Sequence, residues 1–464
     1  YMVAHPVDAD RGFDGSSDLF SPGFFSADLA GGQKIIVQAE ILSGPSPSDT
    51  VLVQTALPKR TGPHREESSL EQAMRNAMQH FVFKRDDLST VIAGYPWFLD
   101  WGRDTLICLR GLIAAGMTDE SAAIIRQFAR FEQGGTLPNM LRGNDSANRE
   151  TSDAPLWLFV ACSDLMRATD SKSILDSNVG GRTILDVLRS IVAAHIKGTS
   201  TGVVMDPGTG LVFSPAHFTW MDTNYPAGSP RQGYPIEIQA LWYTALETLS
   251  RIDGDASISA LAGKVRESIR SLFTRGGQDY LCDCLHGTAG VGAADAMPDD
   301  ALRPNQLLAV TLGAVQDQAL QEAIVASCEE LLVPGAIRTL ADRPVKYALP
   351  VRNGGILLND PHTPYWGRYQ GDEDTRRKPA YHNGTAWAWL YPSYSEALVV
   401  TYGDAVRNTA LSLLSAGSQV ASTGCLGLLP EIVDGNTPHA PRGCGAQAWS
   451  VTEFYRVLAV LKGK

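Results

Sequence analysis

The sequence contains no continuous run of about 18 apolar residues, the length that a membrane-spanning helix requires, so we predict no such span. Basic residues are also in deficit, with 39 Lys and Arg against 50 Asp and Glu and a formal net charge of −11. Nucleic acids and anionic membrane surfaces attract basic patches, so neither is expected as a partner. The seven cysteines are odd in number and scattered, which is typical of a reduced cytoplasmic protein.

Common cofactor and metal motifs are missing as well. The chain has no P-loop, no GxGxxG and no HExxH pattern, so phosphate-binding, dinucleotide-binding and zinc-peptidase functions have no support. Cys282, Cys284 and His286 form the only metal-like cluster, and ordinary small residues in a loop explain so weak a signal equally well. We therefore predict neither a metal nor a cofactor, and the sequence leaves the oligomeric state open.

The apolar pattern changes near residue 65. Residues 19–56 are predicted to form strands, because FFSADL, KIIVQAEI and TVLVQTAL partly alternate and are separated by Gly- and Pro-containing turns. After residue 65 the period becomes about 3.6, the period of an amphipathic helix. We expect an N-terminal β segment and linker over residues 1–60, left from or belonging to a β-rich domain, and a mainly helical catalytic domain over residues 61–464.

Helical periodicity and end signals predict roughly twelve helices in the second region. They cover residues 70–83, 104–116, 118–133, 152–168, 183–196, 235–252, 258–274, 304–314, 317–332, 385–403, 404–417 and 446–461. Ser68 and Glu71 form a capping-box pattern before the first helix, and Pro392 is expected to kink the tenth.

The loops between these helices alternate in length. Connections after the second, sixth, eighth and tenth helices are short and the one after the fourth is moderate, whereas those after every odd-numbered helix are long. Long loops in compact domains are usually functional, and helical hairpins have short ones. Six hairpins with all long loops at one end predict a closed (α/α)6 barrel with a site at one mouth. An open solenoid would show repeats of fixed period, and none is found.

The first long loop, AGYPWFLDWGRDT, combines aromatic and charged side chains. Its members are Trp97, Phe98, Asp100, Trp101, Arg103 and Asp104. Flat apolar rings beside hydrogen-bonding groups suit a sugar, which has apolar faces and a belt of hydroxyls. An alternative interpretation makes Asp104 a helix N-cap with Arg103 as its surface partner.

Two carboxyl groups in other long loops are candidates for acid–base chemistry. Asp222 lies in FTWMDTNYP, where apolar neighbours would raise its pKa, although Asp is also common in turns. Glu431 lies in the last long loop, LPEIVDGNTPHAPRGCGAQAWS. Paired carboxyl groups beside aromatic platforms are what glycoside hydrolysis requires.

Other polar residues of the long loops have ordinary structural interpretations. Asp153 could cap the following helix, and Glu237 is favourably placed against a helix dipole. His382, in YHNGTAW, could contact a ligand or be a buried structural histidine. The last loop also holds Asp434, His439 and Arg442, each of which could be a solvated charge.

Several motifs in order along the chain resemble the glucosidase domain of glycogen debranching enzymes. They are PWFLDWGRDT, LPN, TSDAPLW, TWMD, PIEIQALWY, YHNGTAWAWL and PEIVDG with TPHAPRGCGAQAWSVTE, which together cover nearly the whole chain. The resemblance implies an (α/α)6 barrel related to that of glucoamylases. It also implies an amylo-α-1,6-glucosidase that hydrolyses single glucosyl branches of glycogen or a limit dextrin and inverts the anomeric centre.

The resemblance also implies roles for individual residues. Asp222 matches the general acid and Glu431 the general base, while Arg103 and Asp104 match the pair that holds the non-reducing glucose. Further residues in matching motifs are expected to line the pocket: Trp101, Asn139, Asp153, Trp220, His382, His439 and Arg442. Alternatives are another α-glucosidase or a trehalase with the same barrel, or a catalytically silent glucan-binding protein.

Overall fold

The computed structural model describes residues 2–4, 15–18, 26–33, 70–143, 145–223, 230–425 and 427–463. The chain divides into two compact units, Tyr1–Arg65 and Glu66–Lys464. In the first unit, β1 (Met2–Ala4) pairs antiparallel with β2 (Ser16–Asp18). Most of the strand region predicted over residues 19–56 lies outside the described residues, as does Ser68 of the predicted capping box. Residues 26–29, the described part of FFSADL, are irregular and do not form the predicted strand.

The second unit is built from helices. Its described residues form thirteen α-helices: α1 Leu70–Met78, α2 Gly102–Ala114, α3 Thr118–Ala129, α4 Ala154–Thr169, α5 Ile184–Lys197, α6 Ile236–Asp253, α7 Ala256–Leu272, α8 Leu307–Thr311, α9 Gln318–Cys328, α10 Lys378–Tyr381, α11 Tyr391–Tyr402, α12 Arg407–Ala421 and α13 Ala448–Leu461.

Six of these helices close a ring. Helix α2 packs on α4, α4 on α6, α6 on α8, α8 on α11, α11 on α13, and α13 again on α2. Helices α1, α3, α5, α7, α9 and α12 pack outside this ring. The inner helices are buried over most of their surface, whereas an outer helix such as α7 buries only one stripe. The architecture is the predicted (α/α)6 barrel.

The lengths of the connections place the site. Three residues join α2 to α3, two join α6 to α7 and four join α11 to α12, whereas 14 residues join α4 to α5. The long segments instead lead into the N-terminal ends of the inner helices. They cover residues 79–101, 130–153, 198–235, 273–306, 329–390 and 422–447. All six long loops therefore meet at one mouth of the barrel, as the loop pattern predicts.

Short strands pair within and between these loops and in the connection from α4 to α5. They are β3 Val82–Arg85, β4 Leu88–Val91, β5 Gly94–Tyr95, β6 Asp100–Trp101, β7 Met140–Leu141, β8 Asn178–Val179, β9 Arg182–Thr183, β10 Val204–Met205, β11 Val212–Phe213, β12 Gly233–Pro235, β13 Cys284–His286, β14 Met297–Pro298, β15 Leu332–Val333, β16 Ala336–Arg338, β17 Arg352–Asn353, β18 Ile356–Leu357, β19 Ala386–Trp387, β20 Ile432–Val433, β21 Pro441–Arg442 and β22 Ala446–Gln447. The largest sheet is antiparallel, in the order β15–β16–β19–β20–β21.

Two predicted helices are wrong in extent. The helix predicted over residues 70–83 ends at Met78, because the chain turns into the β3–β4 hairpin, with Asp86 in the left-handed region at its tip. The helix predicted over residues 385–403 begins only at Tyr391, because β19 pairs with both β16 and β20. Pro392 consequently lies in the first turn of α11, where its missing N–H costs no hydrogen bond, and it does not kink the helix.

Within the described ranges, every helix is too short or too polar to cross a membrane.

Candidate active site

A small cavity of about 60 Å³ opens at the mouth where the long loops meet. Its walls come from the ends of several inner helices and the loops that precede them. The lining residues are Phe98, Trp101, Arg103, Asp104, Trp220, Asp222, Tyr381, Trp387, Glu431, Gln447 and Trp449. Six of the residues predicted from sequence therefore share one cavity: Trp101, Arg103, Asp104, Trp220, Asp222 and Glu431.

Arg103 organises one side of the cavity. It lies in the first turn of α2, and its guanidinium is buried. Nε donates to Asp153 Oδ2 at 2.7 Å, and Nη1 donates to Asp222 Oδ2 at 2.8 Å. Thr151 Oγ1 donates to the other oxygen of Asp153 at 2.6 Å. Arg103 thus links the starts of two inner helices to the loop that carries Asp222.

Two opposing effects act on the pKa of Asp222. Burial among neighbouring groups raises the pKa of this carboxyl above its ordinary value, and the positive charge of Arg103 acts in the opposite direction. The side chain of Asp222 remains 29% exposed, whereas Arg103 and Asp153 are almost fully enclosed. One carboxyl therefore faces the cavity from a largely buried ion-pair cluster.

Glu431 is held on both of its carboxyl oxygens. The Tyr381 hydroxyl donates to Oε1 in a short hydrogen bond, and the backbone N–H of Cys444 donates to Oε2 at 2.9 Å. The pKa of Glu431 is raised to about 7, chiefly by burial and in part by the negative charge of Asp222, although the two hydrogen bonds act to lower it. A carboxyl with this pKa can accept a proton near neutral pH.

The backbone around Glu431 leaves no room for a side chain at Gly443. This residue has φ +63°, and a Cβ added there would lie 2.2 Å from Glu431 Oε2. The requirement for glycine is therefore double, because L-residues rarely adopt this conformation and the Glu431 carboxylate occupies the space.

Asp104 is a third carboxyl in the cavity wall. Burial raises its pKa to about 8, the charges of Asp222 and Glu431 contribute in the same direction, and Arg103 opposes them. Gln447 Nε2 lies 3.5 Å from its Oδ1, which makes a long hydrogen bond. Asp104 lies inside α2 instead of capping it, because the N-cap position belongs to Trp101. The N-cap interpretation of Asp104 is therefore wrong.

Tryptophan rings form the apolar wall opposite these charges. Trp220 contacts Trp387 and Trp389 edge to face, with ring centroids 5.2 Å apart in each pair. Trp389 in turn stacks on Trp449 at 4.9 Å. The Trp220 indole N–H donates to Asn305 Oδ1 at 2.8 Å, which fixes the ring beside Asp222. The combination of rings and carboxyl groups gives the cavity both apolar faces and hydrogen-bonding groups.

A buried ionic network lies behind the Asp222 loop. The Arg231 guanidinium donates to both oxygens of Glu237, to Asp283 and to the Thr219 hydroxyl. Asp283 Oδ1 accepts a further hydrogen bond from Asn305, at 2.7 Å. Glu237 does lie in the first turn of α6, yet the dipole of that helix is not its main partner. The network was not predicted from sequence, because Asp283 lies 52 positions from Arg231 and 22 positions from Asn305 along the chain.

Three other residues singled out from sequence lie outside the cavity wall. Asp153 occupies the N-cap position of α4 but makes no capping hydrogen bond with its side chain, which binds Arg103 instead. Asn139 is buried beside α2, and the Gly102 N–H donates to its backbone carbonyl. His382 stacks on Trp387 at 5.1 Å, and burial lowers its pKa well below the ordinary value.

The remaining two candidates, His439 and Arg442, lie in the last long loop and both contact Asp434. Arg442 donates to Asp434 Oδ2 through Nε and Nη2, at 3.0 and 2.9 Å. Asp434 Oδ1 accepts from the Tyr369 N–H, and His439 Nδ1 lies 3.0 Å from the Asp434 carbonyl. In this structure both residues therefore hold the loop through Asp434, and neither lines the cavity.

Four residues of the cavity wall were not singled out from sequence: Tyr381, Trp387, Gln447 and Trp449. Trp387 and Trp449 lie in segments predicted to be helical, where an aromatic residue is expected to pack in the hydrophobic core. Tyr381 lies next to His382 in YHNGTAW, where only the histidine was considered as a ligand contact. The one available signal was the repeated occurrence of aromatic residues at the ends of the long loops.

The described residues contain no group of three or more His, Cys, Asp or Glu side chains that could hold a metal ion. His286, from the metal-like cluster noted in the sequence, lies with Nε2 2.9 Å from Asp299 Oδ2, and its ring stacks on Tyr347.

Comparison with known proteins agrees with this architecture. A family model described as amylo-alpha-1,6-glucosidase matches residues 75–456. The glycogen debranching enzyme of Saccharomyces cerevisiae (strain ATCC 204508 / S288c) is 24% identical over an alignment of 407 residues that covers 68% of this chain and 26% of that protein. The chain thus spans about a quarter of the length of this relative.

Two solved structures share the fold. A glycosidase variant in complex with glucose has a TM-score of 0.55 at 14% identity, and the match covers 87% of this chain and 99% of that one. A metal-independent alpha mannosidase from Streptococcus pneumoniae, in a non-productive complex with alpha-1,6-mannobiose, has a TM-score of 0.50 at 15% identity. That match covers 85% of this chain and 93% of the mannosidase chain.

Proposed function

Because the chain belongs to the amylo-alpha-1,6-glucosidase family of glycoside hydrolases, we propose that it releases glucose from α-1,6-linked branch points of glycogen or a limit dextrin. The reaction inverts the configuration at the anomeric carbon. The single observation that carries the proposal is that Asp222 and Glu431, from separate loops, both line one aromatic-walled cavity. Glycoside hydrolysis needs two carboxyl groups on either side of the scissile bond.

Asp222 is the general acid in this proposal. The proton on its carboxyl passes to the glycosidic oxygen as the bond to the anomeric carbon breaks, so the leaving sugar departs as an alcohol. The raised pKa of Asp222 favours its protonated form. Its Oδ2 accepts a hydrogen bond from Arg103 at 2.8 Å, and a glucose that binds Arg103 would loosen this pairing.

Glu431 is the general base. Its carboxylate takes a proton from a water molecule, whose oxygen then bonds to the anomeric carbon on the face opposite the leaving group. The Tyr381 hydroxyl and the Cys444 N–H hold the carboxylate in one orientation, which supports this role. An inverting enzyme requires a separation of roughly 6.5–9.5 Å between the two carboxyl groups, to leave room for the water.

Binding of the glucose that is released is assigned to groups around these two. Arg103 and Asp104 hold its hydroxyls, and the tryptophan wall packs against its apolar face. Gln447 Oε1 and Trp449 Nε1 have no hydrogen-bond partner among the described residues, so sugar hydroxyls can engage them. Asn139, Asp153, His382, His439 and Arg442 support the cavity from behind or from its rim.

The proposed site of action is the cytoplasm. All seven cysteines lie in the described part of the chain and all are free thiols. Disulfides are rare in reducing compartments, so free thiols agree with that location.

The test is a side-by-side assay of glucose release. The protein is incubated with an α-1,6-branched limit dextrin, isomaltosyl and maltosyl substrates, and trehalose, and the anomer formed is followed by proton NMR. We expect the α-1,6 substrates to be hydrolysed fastest and β-glucose to appear first. Preference for maltosyl substrates or trehalose would assign a different linkage, and glucan binding without any product would assign a binding protein.

A further inference from the structure

Trp97 lies at the mouth of the cavity with its ring turned to solvent. Its side chain is 52% exposed, and Leu99, two residues further on, is 43% exposed. Singly exposed apolar side chains are common on protein surfaces, so the position of this ring matters more than its exposure. Phe98, between these two residues, lines the cavity. The exposed ring therefore belongs to the loop that forms the cavity edge.

Backbone hydrogen bonds close the loop that carries Trp97. The Phe98 N–H donates to the Gly94 carbonyl at 3.1 Å, and the Ala93 N–H donates to the Leu99 carbonyl at 2.9 Å. At its base, β5 pairs with β22, the strand that carries Gln447 into the cavity wall. Trp97 is thus held at the tip of a tight turn that is anchored to the site, and little ordering is needed when a ligand meets its ring.

Aromatic rings connect this tip to the cavity. The Trp97 and Phe98 ring centroids are 6.3 Å apart, and Phe98 contacts Trp101 edge to face at the same distance. Phe98 and Trp101 both line the cavity, whereas Trp97 continues the row outward. A chain of sugars that has one end in the cavity would pass along this row.

We propose that Trp97 is an outer sugar-binding platform that holds a glucose residue of the glucan chain beyond the bond being hydrolysed. The proposal rests on the function proposed above and names how its polymeric substrate is recognised. The occupant is an α-glucan chain, because the row is continuous with the cavity that holds Asp222 and Glu431, and a single exposed ring is too small for a stable protein interface. The flat face of the indole would pack against the apolar face of the sugar ring.

The experiment compares a long and a short substrate. For Trp97→Ala, we expect KM for a branched limit dextrin to rise about tenfold, the scale of one lost aromatic contact. The kcat/KM for α-glucosyl fluoride, which fills only the cavity, should stay within about twofold of the unmodified protein. Trp97→Phe should recover most of the affinity, and Leu99→Ala, which removes a neighbouring exposed side chain, should change neither value. An equal effect of Trp97→Ala on both substrates, or no effect on the dextrin, would overturn the proposal.

A binding measurement separates this proposal from the proposed function. Maltohexaose is titrated calorimetrically into the unmodified protein and into Trp97→Ala. Weaker binding to the variant by about tenfold supports the platform even if no substrate is hydrolysed, in which case only the proposed function fails. Equal affinity of the two proteins, or no binding to the unmodified protein, refutes the platform.

Discussion

Three carboxyl groups share the cavity, and each has different partners. Asp222 accepts from Arg103, Glu431 accepts from Tyr381 and from a backbone N–H, and Asp104 accepts from Gln447 at 3.5 Å. Burial raises the pKa of all three, and each negative charge makes ionisation of its neighbours harder. Different environments for chemically similar groups are how a site separates an acid from a base.

The hydrogen bond from Tyr381 lowers the pKa of Glu431, against the larger effect of burial. Removal of the hydroxyl in Tyr381→Phe takes away an interaction that lowers this pKa, so the value should rise above about 7. A general base works in its deprotonated form, so the acidic limb of the kcat/KM profile should move to higher pH, by about half a unit to one unit. An acidic limb that stays in place, or moves to lower pH, would show that Glu431 is not the base. Tyr369→Phe, which alters a neighbouring tyrosine, is the matched control.

Burial of the Asp104 carboxyl group in the cavity wall should lower the free energy of unfolding of the protein. Its folded-state pKa of about 8 lies above the ordinary value of 3.8, so the unfolded chain releases this proton at lower pH than the folded protein does. The stability contributed by the group is therefore fully present below pH 3.8 and is lost as pH rises through about 8. Asp104→Asn should stabilise the protein at pH 8 by on the order of 1 kcal/mol and remove most activity. Thermal melting at pH 5 and pH 8 checks this, and equal melting shifts at both values would contradict it.

At the scale of elements, the loop from β20 to β22 positions Glu431. Gly443→Ala should abolish most turnover, because the new Cβ must displace the Glu431 carboxylate. Gly424→Ala is the matched control, since Gly424 has a similar φ of +74° but open space around it. Both variants should lose about 1–2 kcal/mol of stability from the left-handed backbone, and only Gly443→Ala should lose activity. Equal activity of the two variants would show that the close approach to Glu431 does not matter.

Element boundaries show what local sequence can predict. Helix α2 was predicted over residues 104–116 and runs Gly102–Ala114, because its apolar period and terminal glycine are local signals. The helix predicted over residues 70–83 failed beyond Met78, where buried Phe81 and the following hairpin depend on contacts with other segments. Strand β19 was likewise assigned to a helix, because its partners β16 and β20 lie far away in sequence.

At the scale of the whole molecule, the alternation of short and long connections predicted a closed barrel with one functional mouth. The ring of six inner helices confirms the barrel. The same reasoning placed Trp101, Asp222 and Glu431 in separate loops at that mouth, and the structure puts all three in one cavity. The pattern of connections does not predict the hydrogen bond between Tyr381 and Glu431. These residues lie 50 positions apart, and such a contact produces no periodicity in the sequence.

The most direct test of the central claim is the rate of glucose release from an α-1,6-branched limit dextrin by three proteins. These are the unmodified chain, Asp222→Asn and Glu431→Gln, each first shown to be folded by circular dichroism. Loss of a general acid or base removes a factor of roughly 10²–10⁴, so both variants should retain at most about 1% of the unmodified rate. A folded variant that kept more than about a tenth of that rate would show that its carboxyl group is not part of the catalytic pair.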